Sequence, residues 1–135
     1  MKTSSPHSPK PVQIVVVTGL DQPKRLMTGL SLAVASAAAG TEVRVFLSMD
    51  GVQCLDPRIC GQVVLPGYPP ISELFSVIRD AGGVIEYCPH CLPTGCDNWI
   101  ARRAVSGESP CGCVGLPAGL ASYGVHLGDY STIIV

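Results

Sequence analysis

Apolar residues fall in short dense runs separated by Gly, Pro and Asp, and the runs differ in period. VQIVVV, at residues 12–17, is rich in β-branched residues and almost unbroken. Such a run predicts a central strand covered on both faces. Thr18, Gly19 and Asp21 mark a turn, and Pro23 suits the first turn of a helix, where its missing N–H is harmless. That helix is expected to run to Ala39, with Gly40 ending it. Its middle, LMTGLSLAVASAAA, has no strongly polar side and should pack on more than one face. EVRVFL, at residues 42–47, sets Val43, Val45 and Leu47 against Glu42, Arg44 and Phe46 and predicts a second strand. Strand, helix and strand in this order make a right-handed βαβ unit.

Residues 48–67 are rich in Gly, Pro and Asp and read as a loop with room for one short helix. Pro69 and Pro70 lead into a helix that aligns Ile71, Leu74, Phe75 and Ile78 on one face, stopped by Gly82 and Gly83. VIEY, at residues 84–87, predicts a third strand, and CPHC begins where it stops. Further on, the pattern predicts a short helix over 98–105, a helix over 116–127 weakened by Gly119 and Gly124, and a closing strand, STIIV, at 131–135. This alternation implies an α/β domain with a mostly parallel sheet between helices, a three-layer sandwich of the flavodoxin-like or Rossmann-like kind. Reactive groups in such sheets collect beyond the carboxyl ends of the strands. The loops at 18–23, 48–51 and 88–96 should therefore converge.

Composition narrows the function classes. The net charge is −1 and no basic stripe is present, which argues against nucleic acid as a partner. Charged residues make up 14%, below the roughly 25% of ordinary soluble domains, so part of the surface is expected to be hidden in a homo-oligomer. Residues 1–11, MKTSSPHSPKP, lack an apolar signal core and predict a disordered tail holding an inert His7, with residues 12–135 as one domain. The longest low-polarity run, residues 26–39, is too short and too interrupted for a membrane span. A cytoplasmic protein is the expectation, and there seven cysteines point to catalysis or metal binding rather than a disulfide framework.

Five of those cysteines, Cys88, Cys91, Cys96, Cys111 and Cys113, fall within 26 residues in the spacing C-x₂-C-x₄-C-x₁₄-C-x-C, with His90 beside the first pair. A dithiol redox site is one reading of CPHC. A thioredoxin-like arrangement would need most of the fold after the motif and a long helix opening on it, but only 44 residues follow Cys91, and Pro93 and Gly95 interrupt a helix start. A zinc or iron site built from Cys88, Cys91, Cys96, Cys111 and Cys113 is a second reading; the spacing contains one knuckle and no matching partner. A sulfur nucleophile is the third. A thiolate just beyond a parallel strand can lie near helix N-termini, accept a sulfane sulfur and hold it as a persulfide. His90 could raise the thiolate fraction of either neighbour.

The stretch from VVVTGLDQPKRL through FLSMDGV, then ISELFSVIRDAGGVIEYCPHC, then the closing GDYSTIIV, resembles the DsrE/DsrF/TusD-like sulfurtransferase family over about residues 12–135. The resemblance implies a DsrE-like fold and an intracellular sulfur carrier that works with sulfur donor and acceptor proteins. It implies no organic cofactor and assembly as a trimer or hexamer. By position, Cys88 matches the sulfur-carrying cysteine and Cys91 the second one. The chain departs from the family at PTGC, where many members carry Arg-Gly, and the family does not account for Cys96, Cys111 and Cys113 as auxiliary thiols. A non-catalytic subunit of a sulfur-relay complex is a further alternative. Asp50 and Gly51 read as a plain turn, with a place at the border of the cysteine pocket as the alternative, Cys54 and Cys60 as ordinary thiols, His126 as a surface or interface residue, and Trp99 as a lid over the cysteine loop.

Overall fold

The computed structural model describes residues 10–91 and 116–135. Five parallel strands form one sheet in the order β4-β3-β2-β1-β5: β1 (Val12–Val16), β2 (Val43–Leu47), β3 (Val84–Tyr87), β4 (Leu116–Pro117) and β5 (Ser131–Ile134). The expected α/β architecture is present, and the described sheet is parallel throughout.

The helices take their places from the order of the strands. α1 (Pro23–Ala38) joins β1 to β2, and α3 (Ile71–Asp80) joins β2 to β3; both steps move the same way across the sheet. Right-handed crossovers then put both helices on one face, where they pack against each other. The return from β4 to β5 runs the opposite way, and α4 (Leu120–Gly124) covers the other face. Pro23 opens α1, and Gly40 and Gly82 adopt positive φ of 88° and 89° just past α1 and α3, where only glycine turns the chain without strain.

The two faces differ in chemistry. The first holds the main core: Ile14, Val16, Val43, Val45 and Leu47 from the sheet against Leu26, Met27, Leu30, Phe75 and Ile78. The second is thinner and partly polar. Val15, Phe46 and Tyr123 form its apolar cluster, with the Phe46 and Tyr123 rings 4.6 Å apart. Gln13 is fully buried there, donating to the Tyr123 carbonyl (3.1 Å) and the Thr132 hydroxyl (2.7 Å) and accepting from Arg44. The Arg44 guanidinium lies 3.7 Å from the centre of the Tyr123 ring, and the Tyr123 hydroxyl donates to Glu86. Burial first, and the Glu86 hydrogen bond second, hold the Tyr123 phenol well above its ordinary titration range. These bonds anchor a five-residue helix that could not hold itself to the sheet alone.

Two segments differ from expectation. The helix expected over 116–127 begins only at Leu120, because Leu116–Pro117 pairs with β3 as an edge strand, where a proline without an N–H is tolerated. Residues 48–67 hold more structure than one short helix: a 3₁₀ run, Met49–Leu55, precedes α2 (Pro57–Cys60). Asp56 caps α2 by accepting from the Arg58 N–H (2.9 Å), and the Arg58 side chain holds the Asp56 carboxyl below its usual range. The helix expected over 98–105 lies outside the described residues. No helix among the described residues is long and apolar enough to cross a membrane.

Candidate functional site

The carboxyl ends of β1, β2 and β3 lie side by side, and three loops meet there as the strand pattern implies. Ser48 N–H donates to the Val16 carbonyl (2.9 Å), Cys88 N–H to the Leu47 carbonyl (2.9 Å), and Leu20 N–H to the Gln53 side chain (2.9 Å). Each loop is thus stitched to its neighbour, two of them by backbone groups at the edge of the sheet and one by the Gln53 side chain.

VIEY stops as a strand at Tyr87, and Pro89–Cys91 forms a single 3₁₀ turn closed by Cys91 N–H on the Cys88 carbonyl (3.1 Å). That turn brings the two sulfurs into hydrogen-bonding contact; both cysteines are free thiols and partly exposed. Their surroundings differ. Cys88 packs on the second face with Val15, Phe46 and Tyr123, whereas Cys91 packs on the main core. The pair sits astride the edge of the sheet.

The electrostatics follow from that placement. Burial pushes the Cys88 thiol up, and its hydrogen bond to Cys91 pushes the same way, against the backbone N–H groups of His90 and Cys91. Burial also opposes ionisation of Cys91, but three donors overcome it: the Met49 backbone N–H, the Cys88 thiol and the Ser48 hydroxyl, whose oxygen lies 3.7 Å from Cys91 Sγ. The Cys91 thiol therefore titrates below its ordinary range. The donors around Cys91 favour its thiolate, and the thiolate is the nucleophilic form.

Ser48 and Met49 lie within the FLSMDGV stretch, but no sequence reading gave either of them a role. Residues 48–51 were expected to border the cysteines, but which groups would face the sulfur depends on a local backbone feature. Met49 has a φ of 49°, in the left-handed region that a non-glycine residue rarely adopts. It opens a seven-residue 3₁₀ run, longer than such helices usually are. Gly51 allows the run to lie against β1, since a Cβ there would sit 2.2 Å from the Val16 carbonyl oxygen.

His90 is exposed and reaches Cys88 through its backbone N–H. Asp50 is exposed within the 3₁₀ turn, and His126 lies on the surface, 3.5 Å from Asp129. Cys54 is a buried thiol, as expected. Cys60 is not an ordinary thiol: it is disulfide-bonded. Cys96, Cys111, Cys113 and Trp99 lie outside the described residues, and so does most of the five-cysteine metal set. Among the described residues no group of three His, Cys, Asp or Glu side chains could hold a metal ion.

No curated protein matches the chain. Solved structures do match in fold. The E. coli YchN protein superposes with a TM-score of 0.61 at 17% identity, covering 93% of this chain and 99% of its own. BT1422, a conserved protein of unknown function from Bacteroides thetaiotaomicron, superposes with a TM-score of 0.57 at 11% identity, covering 99% of this chain and 100% of its own. The family model for the DsrE/DsrF-like family matches residues 10–94, a span that includes β1, β2, β3 and the Cys88–Cys91 turn, and the chain belongs to that family.

Proposed function

We propose that this protein is an intracellular sulfur carrier in which the Cys88–Cys91 pair takes sulfane sulfur from a donor and passes it on as a cysteine persulfide. Membership of the DsrE/DsrF-like family, whose members are generally sulfur-relay proteins, sets the class. The single observation that carries the reading here is the meeting of two free, partly exposed thiols with polar donors at the carboxyl edge of the sheet. The chemistry balances without an organic cofactor. A protein thiolate attacks the outer sulfur of a donor persulfide, R–S–SH, giving protein–S–SH and R–S⁻; an acceptor thiolate then takes that outer sulfur and regenerates the protein thiolate. Where the second cysteine attacks instead, sulfide leaves and a disulfide forms, which a small-molecule thiol must reduce.

Donor and acceptor are thiol-bearing proteins in this reading, and the carrier is a homo-oligomer, a trimer or hexamer. Leu120, Val125, Leu127 and Ile134 leave apolar side chains largely exposed around α4 and β5, which supports assembly.

The carrier reading is tested by incubating the full chain with inorganic polysulfide and weighing it intact. Wild type should gain one reducible sulfur, and the double variant Cys88→Ser/Cys91→Ser none. Equal gain in the double variant removes the pair as carrier.

A further inference from the structure

We infer that Cys91, rather than Cys88, is the thiolate that attacks the sulfur donor, and that Ser48 and the Met49 N–H are the positioning groups that hold it. Position along the chain favours Cys88, the first residue past β3. The packing favours the other sulfur. Cys88 packs against Val15, Phe46 and Tyr123, and Pro89 after it has no N–H to offer; the N–H groups of His90 and Cys91 do reach its sulfur, but burial and the contact with Cys91 outweigh them. Cys91 lies against the loop that follows β2, where a hydroxyl and a backbone N–H both face its sulfur. Donors fixed before the reaction stabilise a thiolate without reorganising when it forms.

The backbone supports the same assignment. A left-handed Met49 stores strain, and strain of this sort persists where surrounding structure enforces it and clusters at functional sites. The Met49 side chain is exposed, so packing of the side chain does not account for the conformation. Its backbone N–H faces Cys91. Cys88 then has a distinct part: its S–H donates to the Cys91 thiolate. In the transfer itself, Cys91–S⁻ attacks the outer sulfur of R–S–SH, the S–S bond of the donor breaks, R–S⁻ leaves, and Cys91–S–SH remains.

The assignment rests on the carrier reading for its meaning but has a test of its own. Full-length protein is exposed to a low concentration of iodoacetamide from pH 6 to 10, and each cysteine is followed by peptide mapping with tandem mass spectrometry. Cys91 should be alkylated ahead of Cys88 at neutral pH. Ser48→Ala should slow alkylation of Cys91 about tenfold at neutral pH and move its pH profile upward, as loss of one hydrogen bond to a charged group predicts, while Ser48→Thr restores it. Earlier alkylation of Cys88, or an unchanged Cys91 profile in Ser48→Ala, overturns the assignment. Loading with polysulfide separates the two claims. Loss of loading in Cys91→Ser supports both. Loading of Cys91→Ser at the wild-type rate overturns the role of Cys91 and leaves the carrier reading standing. Failure of wild type to load ends the carrier reading, while the alkylation order still decides which sulfur the loop activates.

Discussion

Gly51→Ala should be the most damaging single-methyl change near the site. The added Cβ would sit 2.2 Å from the Val16 carbonyl oxygen and 2.9 Å from its carbon, both backbone atoms of the central strand β1. β1 is hydrogen-bonded to β2 and β5 on its two sides and cannot withdraw. The Met49–Leu55 turn has to lift instead. Lifting stretches the Ser48 N–H bond to the same Val16 carbonyl, worth about 1 kcal/mol. It also disturbs Val52, Cys54 and Leu55, which are buried, so an overpacking cost of roughly 1–3 kcal/mol applies. Against this, replacing glycine reduces the freedom of the unfolded chain by at most about 1 kcal/mol in favour of the variant. A net loss of roughly 1–4 kcal/mol remains, which lowers the melting temperature by several degrees or more in a domain of this size. Urea unfolding followed by circular dichroism, with Gly124→Ala as the control, measures it; a Cβ at Gly124 meets nothing within 4 Å. Because the same turn carries Ser48 and Met49, Gly51→Ala should also reduce the lead of Cys91 over Cys88 in alkylation. Stability of Gly51→Ala within about 0.5 kcal/mol of wild type would refute the close-approach reasoning, since that is the usual scatter for changes that touch nothing.

Two further outcomes follow from the same geometry. Met49→Gly should match or exceed wild-type stability, since it relieves a left-handed conformation costing about 1 kcal/mol and gives up only an exposed side chain, whereas Met49→Val should lose at least that amount in the same urea titration. Tyr123→Phe should be less stable by about 1 kcal/mol near pH 8 through loss of the hydroxyl bond to Glu86. The folded state keeps this phenol protonated beyond its ordinary range, so its contribution is complete below about pH 10 and is lost as pH rises past the unfolded value. Wild type should therefore lose stability faster than Tyr123→Phe above about pH 10, and parallel curves in urea titrations from pH 8 to 11 would contradict the burial of that group.

Four of the five described strands and both long helices were legible in the chain because each has a strong local cause. β-branched runs make β1 and β2, Pro23 and the Ile71-Leu74-Phe75-Ile78 face make α1 and α3, and glycines at 40 and 82 end them. The convergence of three loops followed too, because parallel strands point all their carboxyl ends one way. What the tertiary structure decided is which groups meet. Leu116–Pro117 is too short to announce itself as a strand and becomes one only because β3 offers an open edge. Gln13 looks like a lone polar residue in an apolar run, and only the fold supplies Arg44, Thr132 and the Tyr123 carbonyl to satisfy it. The cysteine motif itself was plain, but the division of labour within it was not. Local order singles out Cys88 for its place at the end of a strand. The contacts that favour ionisation of Cys91 come from Ser48 and Met49, about forty residues away in sequence, and no local pattern encodes the direction of their N–H and hydroxyl groups. Periodicity reports burial, which is summed along an element. A thiol's reactivity depends on a few dipoles within hydrogen-bonding distance, and those are fixed only when separate loops close on one another.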